Sequence, residues 1–190
     1  MLKRLFDIFF AVFALFFLIG IIALFWILAS IDTRANGLFT QDRVGQFGKL
    51  FKIYKLRTID DSDGSISAFG AFLRKYKIDE LPQLWNVVLG NMSFVGPRPD
   101  VQGYYDVLEG EERNILKLKP GITSRASIKY FNEEYLLEQQ ENPKQYNDEV
   151  IFKDKVKLNL DYYNQGNSVS EDIKIIMETV VFLATTKFKK

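Results

Sequence analysis

Hydrophobic positions are spread unevenly along this chain. From Ile8 to Ala29 the run IFFAVFALFFLIGIIALFWILA contains no charged or strongly polar residue. As a helix it would be ~33 Å long, about the thickness of a bilayer's hydrocarbon core. It is apolar all round, unlike a surface helix of a soluble domain. It is also too long for a cleaved leader, and no small-x-small site follows cleanly. Lys3 and Arg4 precede it, and Arg34, Arg43, Lys49 and Lys52 follow. Positive charge on both flanks gives a spanning helix no clear orientation, but suits a hairpin with both ends in the cytoplasm. Gly20 splits the run into halves too short to span alone, although one glycine costs a helix only ~1 kcal/mol. Hairpin and span both stay open.

After this run the periodicity shortens. Phe39 to Val44 and Lys49 to Leu56 read as strands joined by the turn glycines of GQFG. DDSDGSIS, Asp60 to Ser67, is a polar loop, and Ala68 to Tyr76 has helical spacing. Glu80 to Val88 predicts a helix with Pro82 in its first turn. Met92 to Gln102 reads as an extended, proline-bound loop, Val101 to Leu118 as helix, and KPGITS as a turn. Glu133 to Tyr163 predicts surface helices. Ser168 and Glu171 form a capping-box pattern ahead of an apolar face of Ile173, Ile176, Met177, Val180, Val181 and Ala184. Two readings of this helix are a core helix and an interfacial one whose basic tail, Lys187, Lys189 and Lys190, meets anionic lipid. The expected fold class is α+β, mostly helical with a small β-hairpin or sheet, a membrane-embedded N-terminal helix and interfacial amphipathic helices. The expected division is a membrane segment over residues 1–32 and a catalytic domain over 33–190.

Composition narrows the chemistry. The 190 residues suffice for one domain with a real core, and a net charge of +1 does not point to nucleic acid. There is no cysteine, so disulfides and thiolate zinc sites are excluded. There is no histidine either, which excludes Ser-His-Asp and Cys-His systems. Acid, base or nucleophile must come from carboxylates, Lys, Tyr or hydroxyls. A metal would see oxygen ligands, which favours Mg²⁺ or Mn²⁺.

Those limits direct attention to KIDELPQLWNVVLGNMSFVGPRP, Lys77 to Pro99. Asp79 and Glu80 sit beside a proline-marked helix start. Acids there serve as ordinary helix punctuation. The same physics would keep an aspartate ionised, hence nucleophilic or metal-binding. Arg98 is held between two prolines, which restricts its guanidinium at low entropic cost. Its fork matches phosphate, or equally a structural carboxylate. In KIYKLRT, strand alternation places Lys55 and Arg57 on one face and Lys52 on the other. They are either a cationic wall for phosphate or lysines guarding a sheet edge. Arg74 could approach the same helix start. Lys117, Lys119, Arg125 and Lys129 surround the KPGITS turn. Together these are anion-binding cations around an acid pair in a membrane-anchored domain, which points to phosphoryl chemistry on a membrane substrate.

The ordered blocks KRLFDI, QDRVGQFGKLFKIYKLRT, KIDELPQLWNVVLGNMSFVGPRP and KPGITS resemble the bacterial sugar transferases, the small monotopic phosphoglycosyl transferases. The resemblance covers nearly the whole chain. It implies transfer of a sugar-1-phosphate from a UDP-sugar to polyprenol (undecaprenyl) phosphate, with release of UMP, at the cytoplasmic face of the bacterial inner membrane. It implies that Asp79 is the nucleophile, forming a phosphosugar-aspartyl intermediate, that Glu80 helps hold Mg²⁺, and that Arg98 binds phosphate. Lys55, Arg57 and Arg74 match other positive positions of the motifs. Membrane lipids are implied partners, nucleic acid is not, and a homo-oligomer is compatible. Such an enzyme would start a surface polysaccharide or glycoconjugate. Three positions depart from the pattern. Ile19-Gly20 replaces the family's helix-breaking Ser-Pro pair, SRASIKY replaces a Gln-Val-x-Gly-Arg type stretch, and Asp161 aligns only loosely with a late acid. The rival enzyme is a conventional glycosyltransferase that releases UDP; the rival outside catalysis is a membrane scaffold.

Overall fold

The computed structural model describes residues 2–185. Lys187, Lys189 and Lys190 therefore lie outside the described residues. The described chain forms two compact units: one from Lys3–Arg43 and Leu50–Met92, the other from Val44–Lys49 and the segment from Ser93 onward.

The first unit is built on α1, Leu2–Asp32, which runs unbroken through Gly20. Only Asp7, Ala11 and Ala29 of this helix are buried. Phe9, Phe13, Phe16, Phe17, Ile27 and Ile31 are exposed. A soluble core helix would bury such residues, so this surface needs an apolar environment. Strands β1, Leu38–Val44, and β2, Leu50–Leu56, pair as the alternation predicts. Helix α2, Ala68–Lys75, starts at Ser67, whose hydroxyl accepts from Gly70 N–H at 2.9 Å. Helix α3, Gln83–Leu89, ends at Gly90 in the left-handed conformation (φ 91°). The expected helix from Glu80 is thus shorter. The acid pair occupies its own 3₁₀ turn, Ile78–Glu80, and Pro82 caps α3.

In the second unit, β3, Ser93–Val95, pairs in parallel with β4, Gly121–Thr123, in the register Ser93 to Gly121 and Val95 to Thr123. KPGITS is therefore half strand, where a turn was expected. The glycines of VGPRP and KPGITS make this possible. A Cβ on Gly121 would lie 2.1 Å from Gly96 N, and one on Gly96 would lie 2.1 Å from Lys119 O. The helix expected over Val101 to Leu118 is replaced by two 3₁₀ segments, Tyr105–Val107 and Glu112–Lys117. Gly103 and Gly110, with φ of 96° and 55°, interrupt it.

Short helices α4, Arg125–Lys129, α5, Glu133–Glu138, and α6, Pro143–Tyr146, lead through a π turn, Asn147–Ile151, to α7, Phe152–Asn164. α7 is more than a surface helix, because Val156, Asn159 and Tyr162 are buried. Val156 joins Val44, Tyr105, Leu108, Ile115 and Leu116 in one apolar cluster; Tyr162 joins Val95, Leu118 and Ile175 in another. Helix α8, Val169–Thr185, starts as expected, with Ser168 Oγ accepting from Glu171 N–H at 3.3 Å. Its buried residues are Asp172 and Ile175, while Ile173, Met177, Val180 and Val181 face outward. The core-helix reading of that apolar face is overturned. Asp172 is buried because it accepts from the Tyr162 hydroxyl.

Candidate active site

The acid pair is placed by three local devices. Lys77 takes a left-handed backbone (φ 55°), which costs a non-glycine residue ~1 kcal/mol, and turns the chain sharply out of α2. Asn86, on α3, splices the segment to β2: its Oδ1 accepts from Tyr54 N–H at 3.0 Å and its Nδ2 donates to Lys52 O at 2.7 Å. Arg4, from the N-terminal block KRLFDI, donates to Val87 O and to Val88 O (2.9 Å), two carbonyls near the end of α3. The membrane helix is thereby tied to the acid-bearing segment.

Asp79 is 7% exposed and Glu80 is 9% exposed. Lys55 Nζ reaches Glu80 Oε1 at 3.2 Å, and both side chains are mostly buried. Arg74 donates its Nε to Thr58 Oγ1 at 2.9 Å and acts electrostatically on Asp79, as do Lys55 and Lys77. Burial and the neighbouring Glu80 carboxylate nevertheless push Asp79 above the ordinary carboxylate range. The dipole argument made from the sequence pointed the other way; desolvation outweighs it. Asp79 Oδ1 is buried and has no hydrogen-bond partner among the described residues.

The remaining expected residues divide. Lys52 lies on the opposite strand face, as alternation requires, in an exposed pair with Asp42 at 3.1 Å. Arg57 donates to Asn36 O at 2.8 Å and pairs with Asp61, bracing the chain that leaves α1. Arg98 belongs to the second unit, where with Pro97, Pro99, Tyr105 and Pro120 it lines a cavity of about 10 Å³. Arg125 is spent on Glu171 (2.5 Å) and Glu178 (3.3 Å), and Lys129 on Asp154 (2.7 Å). Asp161 lies on α7, where its carbonyl accepts from Gln165 N–H. The sequence reading passed over Arg4, Thr58 and Gln83. Gln83 had a signal: it follows Asp79 by four residues, one helical turn, on the face that also carries Asn86.

An all-oxygen site of this type fits Mg²⁺. The ion is commonly held by one or two carboxylates plus substrate phosphates, and adjacent buried carboxylates with an unpartnered Oδ1 offer that donor set. No group of three or more metal-ligating side chains occurs among the described residues, so phosphate oxygens would have to complete the shell.

The pattern of the bacterial sugar transferases matches residues 1–186. The chain belongs to this family. It is 33% identical over 200 residues to the exopolysaccharide production protein PSS of Rhizobium leguminosarum bv. phaseoli, covering 95% of this chain and 94% of that one. It is 32% identical over 208 residues to the galactosyl transferase CpsE of Streptococcus agalactiae, covering 96% of this chain and 42% of CpsE. It is also 32% identical over 197 residues to the UDP-glucose:undecaprenyl-phosphate glucose-1-phosphate transferase of Escherichia coli, covering 95% of this chain and 39% of that enzyme. The chain thus spans less than half the length of the latter two relatives.

Proposed function

We propose that this sugar transferase moves a sugar-1-phosphate from a UDP-sugar to polyprenol phosphate, releasing UMP and starting a surface polysaccharide or glycoconjugate. The observation that carries the reading is the buried Asp79–Glu80 pair facing Lys55 and Arg74. The family match and the activity named for the Escherichia coli relative support it.

In this mechanism an Asp79 carboxylate oxygen attacks the phosphorus attached to the sugar. The bond from that phosphorus to the UMP oxygen breaks, and UMP leaves with the electron pair. A polyprenol phosphate oxygen then attacks the same phosphorus and frees Asp79. Two displacements of this kind need alignment and charge neutralisation more than proton transfer, which suits a chain without histidine. Lys55 holds Glu80 in place, and Arg74, whose Nε donates to Thr58, offers its terminal N–H groups to phosphate. Arg98 is proposed as a phosphate ligand of its own unit, its guanidinium fixed by Pro97 and Pro99, and Arg57 acts mainly as a brace. Bound Mg²⁺, with Glu80 among its ligands, would neutralise phosphate charge.

The proposed location is the cytoplasmic face of the bacterial inner membrane. The ends of α1 both attach within the first unit: Arg4 to the end of α3, and Asp32 to the Ser67 hydroxyl at 2.6 Å. Between Ala11 and Ala29 no residue of α1 is buried. This supports a helix whose two ends stay on one side of the bilayer, keeping Lys3, Arg4 and Arg34 together. The outward apolar face of α8 suits an interfacial helix. The deciding experiment incubates the protein with polyprenol phosphate and a panel of UDP-sugars, and identifies the nucleotide. UMP supports the reading, and UDP assigns a conventional glycosyltransferase. For topology, Leu2→Cys should be labelled from the cytoplasm alone; labelling from outside means a spanning helix.

A further inference from the structure

The segment from Ile78 to Leu89 buries Asp79, Glu80, Pro82, Gln83, Leu84, Asn86 and Val87, and leaves Trp85 and Leu89 outside. This inner face carries two side-chain amides one turn apart. Asn86 is fully buried and uses both ends of its amide on β2. Gln83 is 2% exposed, yet its Nε2 is buried with no hydrogen-bond partner. A buried donor left unsatisfied keeps the full cost of its lost hydration. A protein keeps such a group when something else completes it. One turn earlier, Asp79 Oδ1 is buried and without a hydrogen-bond partner too. Residues four apart on right-handed helical backbone are side-chain neighbours, with Cβ atoms ~5–6 Å apart.

We infer that Gln83 is a phosphate ligand: its side-chain N–H donates to a non-bridging oxygen of the phosphate that Asp79 attacks. This rests on the reaction proposed above. One phosphorus-centred group completes both orphans, since Asp79 bonds to its phosphorus while Gln83 donates to its oxygen. The residue type matters. A lysine in this position would pair with the Asp79 carboxylate and blunt it. A neutral amide donates to the phosphate and leaves the nucleophile's charge alone.

Gln83→Met in the full-length protein removes the donor and keeps the length. Three quantities decide the matter: the rate of UMP release, the unfolding midpoint, and the rise of that midpoint on adding UDP-sugar. The expected result is release slowed by roughly 10²-fold, the effect of losing one oxyanion donor. The midpoint should stay unchanged or rise, because an unsatisfied buried donor has gone. The shift induced by UDP-sugar should shrink. Wild-type release by Gln83→Met overturns the inference while leaving the reaction standing. Slower release with a lowered midpoint and an undiminished UDP-sugar shift also overturns it, because the amide is then structural. If the wild-type protein releases no UMP with any UDP-sugar, the reaction itself fails, and this inference with it.

Discussion

Arg125 in the second unit and Lys55 in the first are both partly buried cations that face carboxylates, but their surroundings differ. Arg125 meets Glu171 and Glu178, and Lys174 adds a second cation to Glu171. Hydrogen bonds from Arg125 and Lys174 hold the Glu171 carboxyl below its ordinary range. Nearby, a hydrogen bond from Lys129, helped by one from Tyr130, lowers Asp154 in the same way. Lys55 meets Glu80, but the carboxylate next door is pushed up by burial and by Glu80 itself. That acid keeps an orphan oxygen, and one turn on an amide keeps an orphan nitrogen. Balanced charge in the second unit braces α4 against α8. Imbalance in the first leaves capacity to bind a charged group.

The widest test of this contrast is Asp79→Asn. It should reduce UMP release by at least ~10³-fold while membrane association persists. Normal release would remove the nucleophile from the site. The same variant sharpens the stability side. Because folding raises the Asp79 pKa, the folded protein holds that proton more tightly. The stabilisation from this group is therefore full at low pH and is lost as pH rises from about 4. The unfolding midpoint of Asp79→Asn, relative to wild type, should increase over that range; a flat difference would mean Asp79 is not strained.

Chelation comes next. Removing divalent metal should stop UMP release, and Glu80→Gln should slow it ~10²-fold and raise the Mg²⁺ needed for half-maximal rate. Full activity in chelator refutes the metal role. Lys55→Met has a smaller effect, ~10-fold on the rate. It removes a charge that lowers the Asp79 pKa, so the acid limb of the pH–rate profile should move to higher pH; an unmoved limb would break the proposed coupling. At the bottom of the scale, Arg125→Ala should lower the unfolding midpoint by about 3 °C and leave UMP release within about twofold, as neutral surface-type changes do. A large loss of rate with an unchanged midpoint would give the second unit's ion cluster a place in catalysis.

Much of this protein could be read along the chain because the relevant forces are local or periodic. The apolar run defines α1, alternation sets the faces of Lys52 and Lys55, and Ser168 marks the start of α8. The acid pair, the proline-bracketed arginine and the motif order were enough to suggest the family. Other features depend on distant partners, which periodicity does not encode. Parallel pairing of β3 with β4 requires Gly96 and Gly121 to meet across the intervening chain. Of the two readings of α8, the core one failed because Tyr162 makes burying Asp172 tolerable, while the more apolar side is left outside. The direction of the Asp79 shift was misread because helix-end polarity is visible in sequence and desolvation is not. Sequence alone thus determined the membrane helix, the strand faces and the candidate acids. Only tertiary structure decided which charges are satisfied, because satisfaction depends on neighbours brought together by folding and on the water they exclude.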